Sequence, residues 1–228
     1  MTFFEKLIGV YTKQTSMLVK GLFSHIYIAG ISVLIAAVIC IPLGIYLTRH
    51  KKAANFTIGV VSVIYTIPSL AMFGLLLPIM GIGSKPAIVA ITLYAMLPIL
   101  RNVYTGIIGV DGTLIDAARG MGMKDMQILT TVELPLALPV IMAGLRTATT
   151  MAVATTTTAA FIGAGGLGNV IYRGVNLLRD EYTVAGAIPT ALLALGVDRL
   201  LLWAENRLAS RTERQAKKIE KKLQKKAS

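Results

Sequence analysis

The chain has 228 residues, of which 55% are hydrophobic and 15% charged, and its mean hydropathy is +0.70. A soluble domain carries about 25% charged residues, so this composition excludes an ordinary water-soluble fold and predicts a protein embedded in lipid. The net charge of +12 does not indicate nucleic-acid binding, because the basic residues lie at the ends of apolar stretches and in residues 207–228. Cys40, the single cysteine, excludes a disulfide framework and a Cys-based metal site.

Five apolar stretches along the chain are each long enough to cross a bilayer. We predict an all-α membrane protein with one transmembrane domain, residues 21–206. Residues 1–20 precede it, and they are either an amphipathic helix on the membrane surface or a frayed terminus. Residues 207–228 form a basic tail, which either contacts anionic lipid or extends as a solvated helix. The predicted spans cover residues of about 24–48, 55–80, 87–110, 134–162 and 182–203.

The lysines and arginines predict how these spans are oriented. Five spans place the two termini on opposite sides of the membrane, and positively charged loops favour the cytoplasm. Arg49, Lys51 and Lys52 share one side with the basic tail. We therefore expect a multi-pass protein of the cell membrane, with its N-terminus outside, its tail inside and residues 113–135 in the cytoplasm.

Residues 113–135 form a long polar loop between the third and fourth spans. Thr113 and Asp116 resemble a capping box, with Asp in place of the usual Glu, and predict the start of a short helix. A second short helix then leads to Pro135, which suits the first turn of the next helix. Two glycines end or bend the first helix, Gly120 and Gly122. An ordered loop of this length indicates a contact surface for a soluble partner.

This loop resembles the cytoplasmic loop of ATP-driven import permeases, whose pattern is Glu-Ala-Ala, three residues, Gly, nine residues, Ile, any residue, Leu-Pro. Asp116 and Val132 replace the Glu and Ile of that pattern. The resemblance implies that residues 113–135, the coupling loop, form helices seated in a groove of an ATPase subunit. Small residues give a close fit there, and Asp116 caps the helix and contacts the partner. The residues assigned to this role are Asp116, Ala117, Ala118, Gly120, Gly122, Leu134 and Pro135.

No Walker phosphate-binding loop occurs in the sequence, so the ATP and Mg²⁺ that drive transport are expected on a separate ATPase. His25 and His50 lie near opposite ends of the first span and cannot form a metal site together; His25 is expected as a polar residue at the membrane interface. We predict a transporter subunit rather than an enzyme, with no catalytic, cofactor-binding or metal-binding residues. The resemblance implies three kinds of partner: a second permease subunit, identical or sister; two ATPase subunits; and an extracytoplasmic solute-binding protein.

Polar and aromatic side chains inside the spans are candidates for a translocation path. Arg146 lies deep in the fourth span, where lining a pore and clamping backbone carbonyls remain alternatives. Asp198, beside Arg199, is expected in an interfacial ion pair. Residues 147–158 are rich in threonine, whose hydroxyls suit a polar lining. The candidates for the path are Tyr65, Phe73, Tyr94, Arg101, Arg146, Thr150, Thr155 and Phe161.

A glycine-rich phrase follows the fourth span and predicts a tight backbone turn near the outer face; its glycines are Gly163, Gly165, Gly166 and Gly168. The phrase resembles the permeases of betaine, methionine and phosphonate importers. From Ser24 to Trp203 the chain resembles the compact permeases of osmoprotectant importers, on the phrases Tyr65–Ser69 and Leu97–Asn102.

This resemblance implies a methionine-importer-like type I permease fold and a cargo of glycine betaine, carnitine or choline. Aromatic faces bind such quaternary ammonium groups. A permease for methionine or phosphonate is the first alternative, and a stand-alone channel or ion-coupled carrier is the second.

Overall fold

The computed structural model describes the backbone of residues 2–227 and the side chains of residues 2–209. This part of the chain contains helices and no strands, which confirms the predicted all-α class. A π-helical turn, Leu129–Glu133, joins α7 to α8, and a 3₁₀ turn, Ala159–Ile162, follows α8. The helices are α1 (Phe3–Lys13), α2 (Thr15–Thr48), α3 (Lys51–Thr66), α4 (Ser69–Met80), α5 (Ser84–Ile108), α6 (Gly112–Gly120), α7 (Asp125–Ile128), α8 (Leu134–Thr158), α9 (Gly168–Asn176) and α10 (Asp180–Ala227).

Four helical segments of the described chain are long and apolar enough to cross a membrane: α2, α5, the continuous segment Asp125–Ile162, and Asp180–Ala209 of α10. The α3–α4 pair is a fifth when its two helices are taken together, although they meet at 95°. The predicted span over residues 55–80 is therefore sharply bent. Pro68 causes the break, because it donates no N–H and keeps Ile67 extended, with φ −66° and ψ 127°.

The first residues of the chain form a helix that packs on the bundle. Thr2 and Glu5 cap α1 reciprocally, each side chain accepting the other residue's backbone N–H, at 3.4 and 2.9 Å. Val10 is buried against α10, whereas Phe4 on the other face is 72% exposed. The leader is thus amphipathic and helical. It is followed almost directly by α2, which begins at Thr15, earlier than the predicted span.

The long helix α5 is at the centre of the bundle and packs against both α2 and α8. Glycines permit this close approach: a Cβ at Gly144 would lie 2.5 Å from the Asn102 Cβ, and one at Gly44 would lie 2.6 Å from the Val103 Cγ1. This packing places the coupling loop, between α5 and α8, at one end of the bundle. The glycine turn, between α8 and α9, lies at the other.

Most side chains of the basic tail lie outside the described residues, so its expected contact with lipid stays a prediction.

Candidate functional site

The coupling loop folds as a helical hairpin that begins at an aspartate cap. The Asp111 carboxylate accepts the backbone N–H and the hydroxyl of Thr113, both at 2.9 Å, and these hydrogen bonds lower the pKa of Asp111. The predicted capping box of Thr113 and Asp116 is wrong. Asp111 and Thr113 both favour a helix start, and Asp111 is the N-cap because its side chain accepts the free backbone N–H of Thr113 in the first turn of α6.

The interior of this hairpin is a small apolar cluster. Gly122 has φ +81°, a left-handed conformation that reverses the chain after α6. Ala118, Ile128 and Val132 then pack together, and all three are at most 3% exposed. Ala118 therefore serves the packing of the hairpin itself. It is not available for the partner contact that the resemblance implies, because its side chain faces inward.

The exposed face of the hairpin consists of other residues. Asp116, Gly120 and Gly122 are exposed, as a contact surface requires. Met121 and Met126 are also exposed, at 43% and 69%, and neither is among the residues predicted to contact the partner. Flexible thioether side chains adapt well to a partner surface. The sequence feature that could have identified these two residues is the presence of methionines in an otherwise polar loop.

The hairpin continues without a break into α8. In the π turn Leu129–Glu133, the N–H of Leu134 bonds to a carbonyl five residues earlier, and Pro135 has no N–H with which to restore the α-helical pattern. Pro135 lies in the first turn of α8, as predicted. Glu133 is 2% exposed, and its Oε2 lies 2.5 Å from Nη2 of Arg49, directly after α2.

Two of the predicted path residues meet at the α3–α4 bend. The rings of Tyr65 and Tyr94 are 6.2 Å apart and nearly perpendicular. The Tyr94 hydroxyl donates to the Ile67 carbonyl at 2.5 Å, and the Tyr65 hydroxyl donates to Sδ of Met151 at 3.2 Å. This pair connects the bend to α5 and α8. Phe73 is fully buried in the core, so it does not line a path in this conformation.

Arg146 is held between α8 and α10. Its Nε lies 3.4 Å from Oε2 of Glu205 and 3.8 Å from Oδ1 of Asp198. These contacts favour a clamp over a pore residue, with carboxylates in place of the expected backbone carbonyls. Asp198 pairs with Arg146 across the helix interface and not with Arg199, because adjacent residues of a helix point in different directions.

The remaining path candidates are dispersed. Thr150 and Thr155 donate their hydroxyls to carbonyls of their own helix, at about 3 Å, so these hydroxyls do not form a free polar lining. Arg101 is exposed and donates to the Ser62 hydroxyl at 3.4 Å. Phe161 is 58% exposed and lies against the Tyr172 ring at the far end of the bundle.

The glycine turn has the conformation that its sequence predicts. Gly163, Gly165 and Gly166 have φ of +70°, +96° and +81°. Gly168 begins α9 in direct contact with the backbone of α8, where an added Cβ would lie 2.1 Å from the Thr157 carbonyl oxygen. The turn thus holds α9 closely against the end of α8.

Buried His25 fastens this turn to α2. Its Nδ1 accepts the backbone N–H of Leu167 at 3.3 Å, and its Nε2 lies 2.9 Å from the carbonyl oxygen of Val153. These partners require the neutral tautomer with the proton on Nε2. His25 is 0% exposed because the turn folds over it, so its ring contacts protein and not solvent or lipid headgroups; its depth in the membrane stays a prediction.

We expect His25→Leu to lower the thermal unfolding midpoint of the detergent-solubilised protein. The substitution leaves the buried N–H of Leu167 without its partner, at a cost of about 1–3 kcal/mol. His50, which is exposed, supplies the matched control His50→Leu. Equal midpoints for the two variants would contradict this account of the turn.

An open cleft of about 650 Å³ lies beside the glycine turn, between α2 and α9. Lys20 and Arg173 line it together with neutral residues such as Ser24 and Asn169, and none of its described lining residues is acidic. Its electrostatics therefore favour an anionic group over a cation.

Comparison with known proteins identifies the relatives of this chain. Residues 40–210 match the family described as binding-protein-dependent transport system inner membrane component. The chain is 47% identical to the choline transport system permease protein OpuBB of Bacillus subtilis, over 82% of this chain and 86% of that protein. It is 42% identical to the carnitine transport permease protein OpuCB of Listeria monocytogenes, over 93% and 98%. It is 45% identical to the glycine betaine/carnitine/choline transport system permease protein OpuCB of Bacillus subtilis, over 81% and 85%.

Solved structures share the fold. A chain of the inward-facing MetNI methionine ABC transporter aligns with a TM-score of 0.73 and 26% identity, over 88% of this chain and 98% of that one. A chain of an amino acid ABC transporter with histidines aligns with a TM-score of 0.73 at 20% identity, over 91% and 99%. These likenesses confirm the predicted methionine-importer-like fold.

Proposed function

We propose that this chain, which belongs to the binding-protein-dependent transport system inner membrane component family, imports quaternary ammonium osmoprotectants such as glycine betaine, carnitine and choline. As a member of that family, it is a permease subunit of an ATP-driven importer and not an enzyme. The observation that carries this proposal is the identity of 42–47% to permeases named for those solutes. The methionine transporter chain that has the same fold is only 26% identical in sequence to this chain.

The Tyr65–Tyr94 pair supports this choice of solute. Aromatic faces attract quaternary ammonium groups, and the half-buried Tyr65 ring, held nearly perpendicular to the Tyr94 ring, can offer its face to such a group. The pair lies at the α3–α4 bend, where the backbone leaves its helical course. We assign these two rings to the translocation path, with Arg101 on the exposed side of α5.

The importer contains this chain with a second permease chain, two ATPase subunits that bind ATP and Mg²⁺, and an extracytoplasmic solute-binding protein. The N-terminus lies outside and the coupling loop lies in the cytoplasm, because positively charged loops favour the cytoplasmic side of the membrane. The exposed face of the coupling loop, with Met121 and Met126, contacts the ATPase. The outer cleft that contains Lys20 and Arg173 suits carboxylates of a docked solute-binding protein better than a cationic solute.

Transport follows from the continuity of the coupling loop with α8. When ATP brings the ATPase subunits together, they displace the hairpin, and the unbroken segment Asp125–Ile162 transmits the movement through the membrane to the glycine turn. The path then opens alternately to the two sides.

This function is tested by reconstituting the importer, purified with its ATPase and solute-binding protein, into liposomes. We expect uptake of labelled choline, carnitine or glycine betaine that requires both ATP and the solute-binding protein, and that excess methionine or phosphonate does not inhibit. Methionine or phosphonate uptake would show a different cargo. Uptake through the purified chain alone would show a channel or an ion-coupled carrier.

A further inference from the structure

An ion pair joins the end of the coupling loop to α2, a span that is separated from the loop in sequence by three helices. Glu133 is the last residue of the π turn, and Arg49 directly follows α2. Their carboxylate and guanidinium are 2.5 Å apart, within range of a charge-assisted hydrogen bond. Among the ion pairs of the described side chains, this one alone connects α2 with residues 111–135.

Burial makes the Glu133 carboxylate dependent on this partner. The Glu133 side chain is 2% exposed, whereas the Arg49 side chain is 45% exposed. A carboxylate removed from water is unfavourable unless it is paired, while a half-exposed guanidinium can still be hydrated. Separating the two elements would therefore leave a buried charge without compensation, so the pair resists their separation.

The position of Glu133 in the chain is as important as its burial. A π turn closes its hydrogen bond over five residues, where an α-helix uses four, and it frequently occurs at functional sites. Here it is the joint between the hairpin and α8, and Pro135 prevents the regular α-helical bond on its membrane side. The pair thus fastens α2 to the point at which the hairpin continues into α8.

We propose that Arg49 and Glu133 are positioning residues that transmit the movement of the coupling loop to α2, while the continuous helix transmits it to α8. This inference rests on the proposed coupling to an ATPase. Without the pair, α2 follows the loop only through side-chain packing, and the two spans no longer move together. ATP is then hydrolysed with less solute transported.

The test is a double-mutant cycle in the complete importer reconstituted in liposomes, with Glu133→Gln, Arg49→Gln and the double variant. The measured quantity is solute transported per ATP hydrolysed. We expect each single substitution to lower this ratio roughly tenfold, a moderate effect because Arg49 is half exposed. The double variant should be no worse than the poorer single variant, because two residues that act as a pair are not additive.

The chain offers a closely matched control at its opposite end. Arg179 and Glu181 form an ion pair of 2.8 Å, and their side chains are 51% and 8% exposed. The two pairs are thus similar in geometry and burial, but Arg179 and Glu181 are two residues apart in one segment and connect no separate spans. We expect Glu181→Gln and Arg179→Gln to leave the transport ratio unchanged.

The outcomes separate this inference from the proposed function. Wild-type uptake that depends on ATP and on the solute-binding protein establishes the function, and its absence refutes the function irrespective of the pair. With an active wild type, an unchanged ratio in the single variants, additive losses in the double variant, or equal losses in the control pair would each overturn the inference. Loss of ATPase association in Glu133→Gln, which retains the shape of the side chain, would assign the pair a purely structural role and also overturn it.

Discussion

Gly168→Ala is expected to abolish the accumulation of folded protein and, with it, solute uptake. An added Cβ would lie 2.1 Å from the carbonyl oxygen of Thr157 and within 3.0 Å of two further backbone atoms of that residue. Backbone atoms in the last turn of α8 cannot move aside as a flexible side chain can, so α9 would have to separate from α8. We expect a destabilisation of at least about 4 kcal/mol, which is exceptional for one methyl group.

The yield and thermal unfolding of detergent-purified protein measure this effect. Gly30→Ala is the matched control, because Gly30 lies in the middle of α2 and an added Cβ there meets no atom within 4 Å. Wild-type yield and unfolding midpoint for Gly168→Ala would show that the contact between the glycine turn and α8 is not required.

Gly122→Asp is expected to abolish uptake while leaving the protein folded in the membrane. Gly122 is exposed, and an added Cβ meets no atom within 4 Å, so no clash arises. Its φ of +81° is unfavourable for most residues, but aspartate tolerates the left-handed region better than most. The new carboxylate lies on the face of the coupling loop that we assign to the ATPase. We expect uptake to fall more than roughly a hundredfold, the scale of about 2.7 kcal/mol.

The measurements are uptake and ATP hydrolysis stimulated by the solute-binding protein, both in the reconstituted importer. Gly122→Ala is the control for backbone strain, because it adds a Cβ at the same φ of +81°, where no atom lies within 4 Å, but adds no carboxylate. Normal uptake by Gly122→Asp, or an equal loss in Gly122→Ala, would contradict the assignment of this exposed face to the ATPase.

The helical class, the approximate membrane segments and the place of the coupling loop could be predicted from the sequence. Each depends on properties of a single segment: the length of an apolar stretch, the spacing of a motif, or the position of Pro135. The N-cap residue of α6 could not be predicted from the sequence, because Asp111 and Thr113 both favour a helix start and lie only two positions apart in the chain. The assignment of Tyr65 and Tyr94 to the translocation path stays a prediction.

The sequence by itself determined which segments are apolar enough to enter the membrane and which loop carries the permease motif. Only the tertiary structure decided the partners of the polar residues. The contacts of His25 with the glycine turn, of Arg146 with α10, and of Arg49 with Glu133 join positions distant in sequence. Hydropathy and motif spacing describe one segment at a time. The stability of a buried charge or ring nitrogen depends instead on its hydrogen-bond or ion-pair partner, and the packing of distant segments decides which group that partner is.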